Sequence, residues 1–345
     1  MPNEKRQRRA VTMQDVAEEA GVATSSVSRA LSGHPDVSDA LRKRVSKAAE
    51  KCGYLPNLIA SSLRSGSTYT IGFLVRDISN PLFAWIAKGA DDTLREQGYS
   101  LLLTNSDGDP EIELAHLDLL RQRRVDGIIA SMVSEDYAPI VDALRNYAGP
   151  LVILDREVPN LSASFVQIDH RLGVRDSVRH LLQLGHQRIA FITGPISVRS
   201  CRERICGFEE AHKEMGVRID KKLICTGNWD AEFAQSSISE VFAQNNPPSA
   251  VISGGIQSTE GALKGLLALG LRIGKDVAFV ACDDLPSFSL SDPTISVVAR
   301  DYFEHGQTAA EILLKLLAGG TNEIQSLPTT YIARATSTAC LQHFD

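Results

Sequence analysis

Several kinds of segment are missing from this 345-residue chain. No uninterrupted apolar run approaches the ~20 residues that a membrane-crossing helix needs. A polar, basic stretch follows Met1 in place of a charged-then-apolar leader, so a cytoplasmic protein without a membrane partner is expected. Cys52, Cys201, Cys206, Cys225, Cys282 and Cys340 lack the paired spacing of a zinc site, and reduced thiols are expected. His34, His116, His170, His180, His186, His212, His305 and His343 are dispersed, which points to surface or capping positions. No glycine-rich dinucleotide loop follows the first apolar run, and neither a phosphate loop nor a nucleophile elbow occurs anywhere. The sequence therefore offers no catalytic residue, no metal ligand set and no cofactor motif, and an enzyme is not expected.

What the chain does contain is asymmetric. Residues 1–66 hold 11 Lys+Arg against 7 Asp+Glu, a balance of +4, while the whole chain carries −6. A small basic head on an acidic body fits nucleic-acid contact at one end. Within that head, Thr12 and Asp15 have capping-box spacing, and Met13, Val16, Ala17 and Ala20 repeat with helical period. Gly21 sits where a left-handed residue ends that helix, and Val22 can fill the corner. A second helix starts at Thr24, since Ala23 is no side-chain cap. It turns Val27, Ala30 and Leu31 inward and leaves Thr24, Ser25, Ser26, Ser28 and Arg29 as a polar face. Small hydroxyl side chains let a helix backbone approach base edges in a major groove, and Arg29 can fork onto a guanine. An ordinary surface hairpin has the same composition, so the pattern alone leaves both readings open. Ser38 caps a third helix through about Lys51, with Leu41, Val45 and Ala48 inward. Its Arg42, Lys43, Arg44 and Lys47 are either phosphate contacts or a solvated face.

The run Thr12–Leu31, followed by Gly53-Tyr54-Leu55-Pro56-Asn57 and Ala60-Ser61-Ser62-Leu63, resembles the headpiece and hinge of the lactose/galactose-repressor (LacI/GalR) family. The resemblance implies an all-α helix-turn-helix headpiece over residues 1–56 and a hinge over 57–67. It further implies an α/β two-lobed effector domain over 68–345, similar to periplasmic sugar-binding proteins. Asn57, Ala60 and Leu63 would then touch operator DNA, with Leu63 wedged into the minor groove of a duplex shared by two protomers. A homodimer on inverted half-sites follows. A flexible linker is the alternative for 57–67.

From Tyr69 onward apolar strand runs alternate with amphipathic helices, in two series, which means two parallel sheets flanked by helices. The lobes are expected at about 68–168 plus 300–320 and 169–299 plus 321–340. Ligands of such sheets sit beyond the carboxyl ends of the strands. The family resemblance places Asp155, Arg204, Asp283 and Trp229 on a small-molecule effector there, with Asn80, Leu82, Phe83, Ser200 and Arg300 on the same cleft. Turn or capping roles compete for the two aspartates, and core packing for Trp229. Where many relatives carry an aspartate, this chain has Gly254-Gly255-Ile256-Gln257, so no relative's effector transfers. Arg76, Arg156 and Arg300, if all face the cleft, favour a sugar acid or sugar phosphate over a neutral sugar; otherwise they form salt bridges. The leading reading is a repressor switched by a carbohydrate or sugar acid, and the alternative is a solute-binding receptor without DNA function.

Overall fold

The computed structural model describes residues 11–31, 34–54 and 66–337. The segments 1–10, 32–33, 55–65 and 338–345 lie outside them, and with them Asn57, Ala60, Leu63 and Cys340. Contacts divide the chain into two units, residues 1–68 and 69–345.

In the first unit three helices enclose a small core: α1 (Met13–Ala20), α2 (Thr24–Leu31) and α3 (Asp39–Cys52). The Thr12 hydroxyl accepts from Asp15 N while the Asp15 carboxylate accepts from Thr12 N at 2.6 Å, a reciprocal capping box. Gly21 ends α1 at φ +61°. Val16, Val27 and Val45 are wholly buried, one from each helix, and each such burial contributes ~1.5–3 kcal/mol. Lys51 reaches Glu19 at 2.6 Å across the α1–α3 seam. Arg42 is half-buried and donates to His34 O at 2.8 Å and to Val37 O at 3.3 Å. It therefore ties the turn before α3 to that helix, a use that the two expectations for it, phosphate contact or solvated face, both missed.

The second unit is built on two six-stranded sheets. The first contains β1 (Thr70–Val75), β2 (Ser100–Asn105), β3 (Gly127–Ala130), β4 (Leu151–Leu154), β5 (Ser164–Asp169) and β11 (Ile324–Pro328), in the order β2-β1-β3-β4-β5-β11 and all parallel. The second contains β6 (Ile189–Thr193), β7 (Ile224–Thr226), β8 (Ala250–Ser253), β9 (Ala278–Cys282), β10 (Ser296–Ala299) and β12 (Thr330–Ile332), in the order β7-β6-β8-β9-β10-β12. Only β12 runs antiparallel to its neighbour. The first five strands of the two orders repeat one topology, so β4 and β9 are equivalent strands.

Helices α4 (Pro81–Glu96), α5 (Pro110–Gln122) and α6 (Ala138–Arg145) cover the first sheet. Helix α6 starts only at Ala138, after a turn in which the Ser134 hydroxyl donates to Asp136 Oδ1 and accepts from Asp136 N. The second sheet is flanked by α7 (His170–Gln183), α8 (Arg199–Glu214), α9 (Ala231–Phe242), α10 (Ile256–Ala268) and the short α11 (Pro286–Leu290). Helix α12 (Tyr302–Leu317) returns to the first lobe and packs on α4.

One expectation about the lobes is overturned. Residues 321–328 do not belong to the second lobe: β11 pairs with β5, from Ile324 opposite Phe165 to Pro328 opposite Asp169. Only after Thr329 does the chain cross, where β12 pairs with β10.

Candidate functional site

Strand ends of both sheets meet at one cavity. The space between its walls amounts to about 610 Å³, part of it open solvent. Every residue expected on the cleft lines it: Asn80, Leu82 and Phe83 from the start of α4, Asp155 after β4, Ser200 and Arg204 on α8, Trp229 after β7, Asp283 after β9, and Arg300 after β10. Arg76, Arg156 and Gln257 line it as well.

The centre is an ion-pair chain across the lobes. Asp155 and Asp283 stand at equivalent positions after β4 and β9, both in the left-handed region, at φ +51° and +78°. Such a backbone costs about 1–3 kcal/mol per residue and persists only where surrounding contacts hold it. The contacts are visible: Asp155 N donates to Val166 O at 2.8 Å, and Asp283 N to Val298 O at 2.9 Å. Arg300 then bridges the two carboxylates, Nε to Asp283 Oδ1 at 3.0 Å and Nη1 to Asp155 Oδ2 at 3.3 Å. Arg204 adds Nη2 to Asp283 Oδ2 at 3.5 Å and donates Nη1 to Gly254 O at 2.7 Å. His170 places Nε2 2.8 Å from Asp155 Oδ2. Asp155, Asp283, Arg204 and His170 are buried, and the Arg300 side chain is 9% exposed.

Desolvation alone would raise both carboxylates, but His170 and Arg300 beside Asp155, and Arg300 and Arg204 beside Asp283, outweigh it and hold both below the usual carboxylate range. His170 is pushed the other way: burial, with Arg204 and Arg300 nearby, lowers its pKa despite the carboxylate partner. A neutral imidazole donating to an ionised Asp155 satisfies both. Two nitrogens here have no hydrogen-bond partner among the described residues, Arg204 Nε and His305 Nδ1. The site thus presents paired charges with one unmet donor, Arg204 Nε, and, since His305 Nε2 faces Val166 O, one unmet acceptor, His305 Nδ1, a combination suited to a polyhydroxylated ligand.

Trp229 is half-buried and forms wall, with the Arg76 guanidinium 5.7 Å over its ring. The wall needs a glycine beneath it, since a Cβ at Gly194 would stand 2.4 Å from Trp229 Cε2. Asn80 caps α4 by accepting from Leu82 N at 3.1 Å, so it positions as well as lines. Gln257 donates to Asp77 across the lobes at 3.2 Å. A second interlobe contact flanks the cavity. Glu135 accepts from Arg199 N at 2.7 Å and from Arg202 Nη2 at 2.9 Å, and Glu157 joins Arg202 at 3.1 Å.

The histidines depart from expectation. His170, His186, His212 and His305 are buried, and His305 lines the cavity. Their isolation in sequence carried no sign of this, because each is brought inward by its own helix or loop. Among the described residues no group of acids, histidines and cysteines could hold a metal ion, and no helix is long and apolar enough to cross a membrane.

In the headpiece Thr24, Ser25 and Arg29 are exposed, Ser26 and Ser28 half-buried. Arg29 rests against Asp36 at 3.2 Å.

A helix-turn-helix unit joined to a two-lobed cleft defines a class: DNA-binding regulators that respond to a small molecule. Two family profiles divide the chain accordingly, "Bacterial regulatory proteins, lacI family" over residues 12–57 and "Periplasmic binding proteins and sugar binding domain of LacI family" over 68–335. The chain belongs to the LacI family and is a transcriptional repressor of that family. It is 30% identical to the Escherichia coli (strain K12) repressor CytR over 315 residues, covering 91% of this chain and 92% of that protein. It is also 30% identical to the Ribose operon repressor of the same organism, covering 93% and 97%. The Lac repressor dimer bound to operator and the anti-inducer ONPF superposes with TM-score 0.84 at 27% identity, covering 96% of this chain and 100% of that one.

Proposed function

We propose that this repressor acts in the cytoplasm as a homodimer on an operator of inverted half-sites, and that a carbohydrate-type effector in the interlobe cavity sets its affinity for DNA. Thr24, Ser25, Ser26, Ser28 and Arg29 read the major groove, and Asn57, Ala60 and Leu63 engage the minor groove. Asn80, Leu82, Phe83, Asp155, Ser200, Arg204, Trp229, Asp283 and Arg300 hold the effector, with no chemical step and no cofactor. The observation that carries this reading is the Asp155–Arg300–Asp283 bridge. It joins equivalent strand ends of the two lobes at the wall of a cavity, so a ligand that competes for its donors changes how the lobes are held together. A ligand that favours one lobe arrangement shifts the population, and the difference in affinity sets the size of the response.

The sugar-bound relatives support a carbohydrate: a regulator from Enterococcus faecium carries ribose, at 27% identity and TM-score 0.69, with 79% of this chain and 100% of that one covered. The test pairs two variants in an anisotropy assay on inverted-repeat DNA. Arg204→Met should keep operator binding and lose the response to the effector. Leu63→Ala should lower operator affinity and DNA bending and leave effector affinity intact. Retained induction in Arg204→Met would remove the cavity from the mechanism.

A further inference from the structure

Four guanidiniums and two carboxylates line the cavity, and the pairing is uneven. Arg204 and Arg300 are spent on Asp283 and Asp155. Arg76 and Arg156 are not: among the described residues neither has a carboxylate within ion-pair distance. Arg156 is 6% exposed and donates only to backbone, Nε to Met132 O at 2.8 Å and Nη1 to Asp155 O at 2.9 Å. Arg76 leans on the Trp229 ring. The nearest acids have other tasks. Asp77 accepts from Ser79 and Gln257, and both oxygens of Glu113 accept from Val133 N at 3.1 Å. Burial also pushes the Glu113 carboxyl up to about 7, which leaves Arg156 little compensation. The two guanidiniums feel each other: burial and the charge of Arg156 lower the pKa of Arg76.

Their placement is ordered by the sheet. Arg76 follows β1, Ser131 follows β3 and Arg156 follows β4, and these three strands are neighbours. All three residues line the cavity, so a hydroxyl stands between two cations along one wall. The equivalent positions of the second lobe carry Gly194, Gly254 and Asp284, with no cation. A buried and a half-buried guanidinium that face each other without a direct carboxylate partner destabilise an empty site, and guanidinium forks match the oxygens of a carboxylate or a phosphate.

Resting on the cavity as the effector site, we propose that the effector is an anionic carbohydrate whose carboxylate or phosphate sits against Arg76, Ser131 and Arg156, while its hydroxyls face the Asp155–Arg300–Asp283 bridge. The unanionised parent sugar lacks the group that those cations neutralise, and Arg76 and Arg156 set the specificity.

The experiment is a thermal-shift and calorimetry panel on the full chain, in three arms: neutral pentoses and hexoses, their aldonates and uronates, and their phosphates. A stabilising ligand is expected in one of the charged arms, and which arm responds separates carboxylate from phosphate. Arg76→Gln should weaken that ligand about 10- to 100-fold, the factor that a charge-assisted hydrogen bond carries, and should leave the weak neutral parent unchanged. A neutral sugar that binds as tightly as its acid or phosphate, or an anion indifferent to Arg76→Gln, overturns the anion site and leaves the cavity reading standing. A ligand whose affinity survives Arg204→Met, or a panel without any shift, overturns the cavity reading as well.

Discussion

Arg29 is the proposed reader of DNA sequence. In the free headpiece it is exposed and paired with Asp36 at 3.2 Å, a surface contact that contributes about 0–1 kcal/mol and yields readily to a guanine edge. Arg29→Ala should lower discrimination between operator and mismatched sites by about 1–3 kcal/mol, with the salt-sensitive nonspecific component intact. Equal loss of specific and nonspecific affinity in a titration across salt would make Arg29 a phosphate contact. A second residue-scale test concerns Trp229. Any side chain at Gly194 meets its ring at 2.4 Å, so Gly194→Ala should displace Trp229 and weaken the effector. Trp85 is the other tryptophan of the chain, so a Trp85→Phe background lets fluorescence report Trp229 alone. An unchanged spectrum would mean that the ring is not held by this contact. His305 supplies a pH handle. Burial and Arg300 push its pKa down to about 4, from 6.5 in the unfolded chain. Its stabilising effect is therefore whole above pH 6.5 and is lost as pH falls toward 4. At ~1.4 kcal/mol per pH unit, the fall from 6.5 to 5 costs about 2 kcal/mol. Glu113, raised to about 7 from 4.5, gains stability over the same fall and masks the effect in the wild type. The readable quantity is the difference: unfolding free energies of wild type and His305→Gln should converge by about 2 kcal/mol between pH 7 and 5. Parallel curves would show that His305 does not titrate as its burial requires.

At the scale of elements, the α4–α12 pair sets the first lobe's shape. Gly89 and Gly306 let the two backbones touch: a Cβ at Gly306 would lie 1.8 Å from Ile86 O, and one at Gly89 2.1 Å from Phe303 O. Neither obstacle is a movable side chain, so Gly306→Ala should cost more than the ~1–3 kcal/mol of ordinary overpacking. Calorimetry finding less than ~1 kcal/mol would show that the helices slide apart freely. Much at this scale was legible in the sequence. Apolar runs such as Ile189–Thr193 and Ala250–Ser253 are wholly buried strands, and their composition announced it. Strand β11 was not legible, because it lies at a sheet edge with Leu327 as its only buried residue. It has neither an apolar run nor an alternating face, and only pairing with β5 makes it a strand. The cavity residues were legible by kind, as polar turns after strands. The partners of those residues were not: nothing in the spacing of Asp155, Asp283 and Arg300 shows that one guanidinium bridges both carboxylates. Likewise His305 looked like any isolated histidine, and only the turn into α12 brings it to the cavity.

For the molecule as a whole, what matters is how the lobes are held together. Besides the central bridge, several contacts cross the cleft, among them Asp77–Gln257 at 3.2 Å, Arg199 with Asp155 at 3.4 Å and with Ile168 O at 3.0 Å, and the cluster of Glu135 and Glu157 with Arg199 and Arg202. Glu135 is 7% exposed, accepts a backbone N–H at the first turn of α8, and so places a carboxylate at a helix N-terminus that has no side-chain cap of its own. The contact is charge-assisted on both oxygens and contributes about 1.5–3 kcal/mol to the observed lobe arrangement. If that arrangement is the one that binds effector, its population enters the measured affinity directly. Glu135→Gln keeps the size and one acceptor oxygen but removes the charge. It should weaken the effector by up to about tenfold, the equivalent of 1.4 kcal/mol, without touching any group on the cavity wall. Solution scattering should show a larger radius of gyration for the ligand-free variant, and saturating effector should restore the wild-type value. If affinity falls with no change in radius, Glu135 acts by ordering α8 around Arg204, and the lobes are held by the other contacts across the cleft.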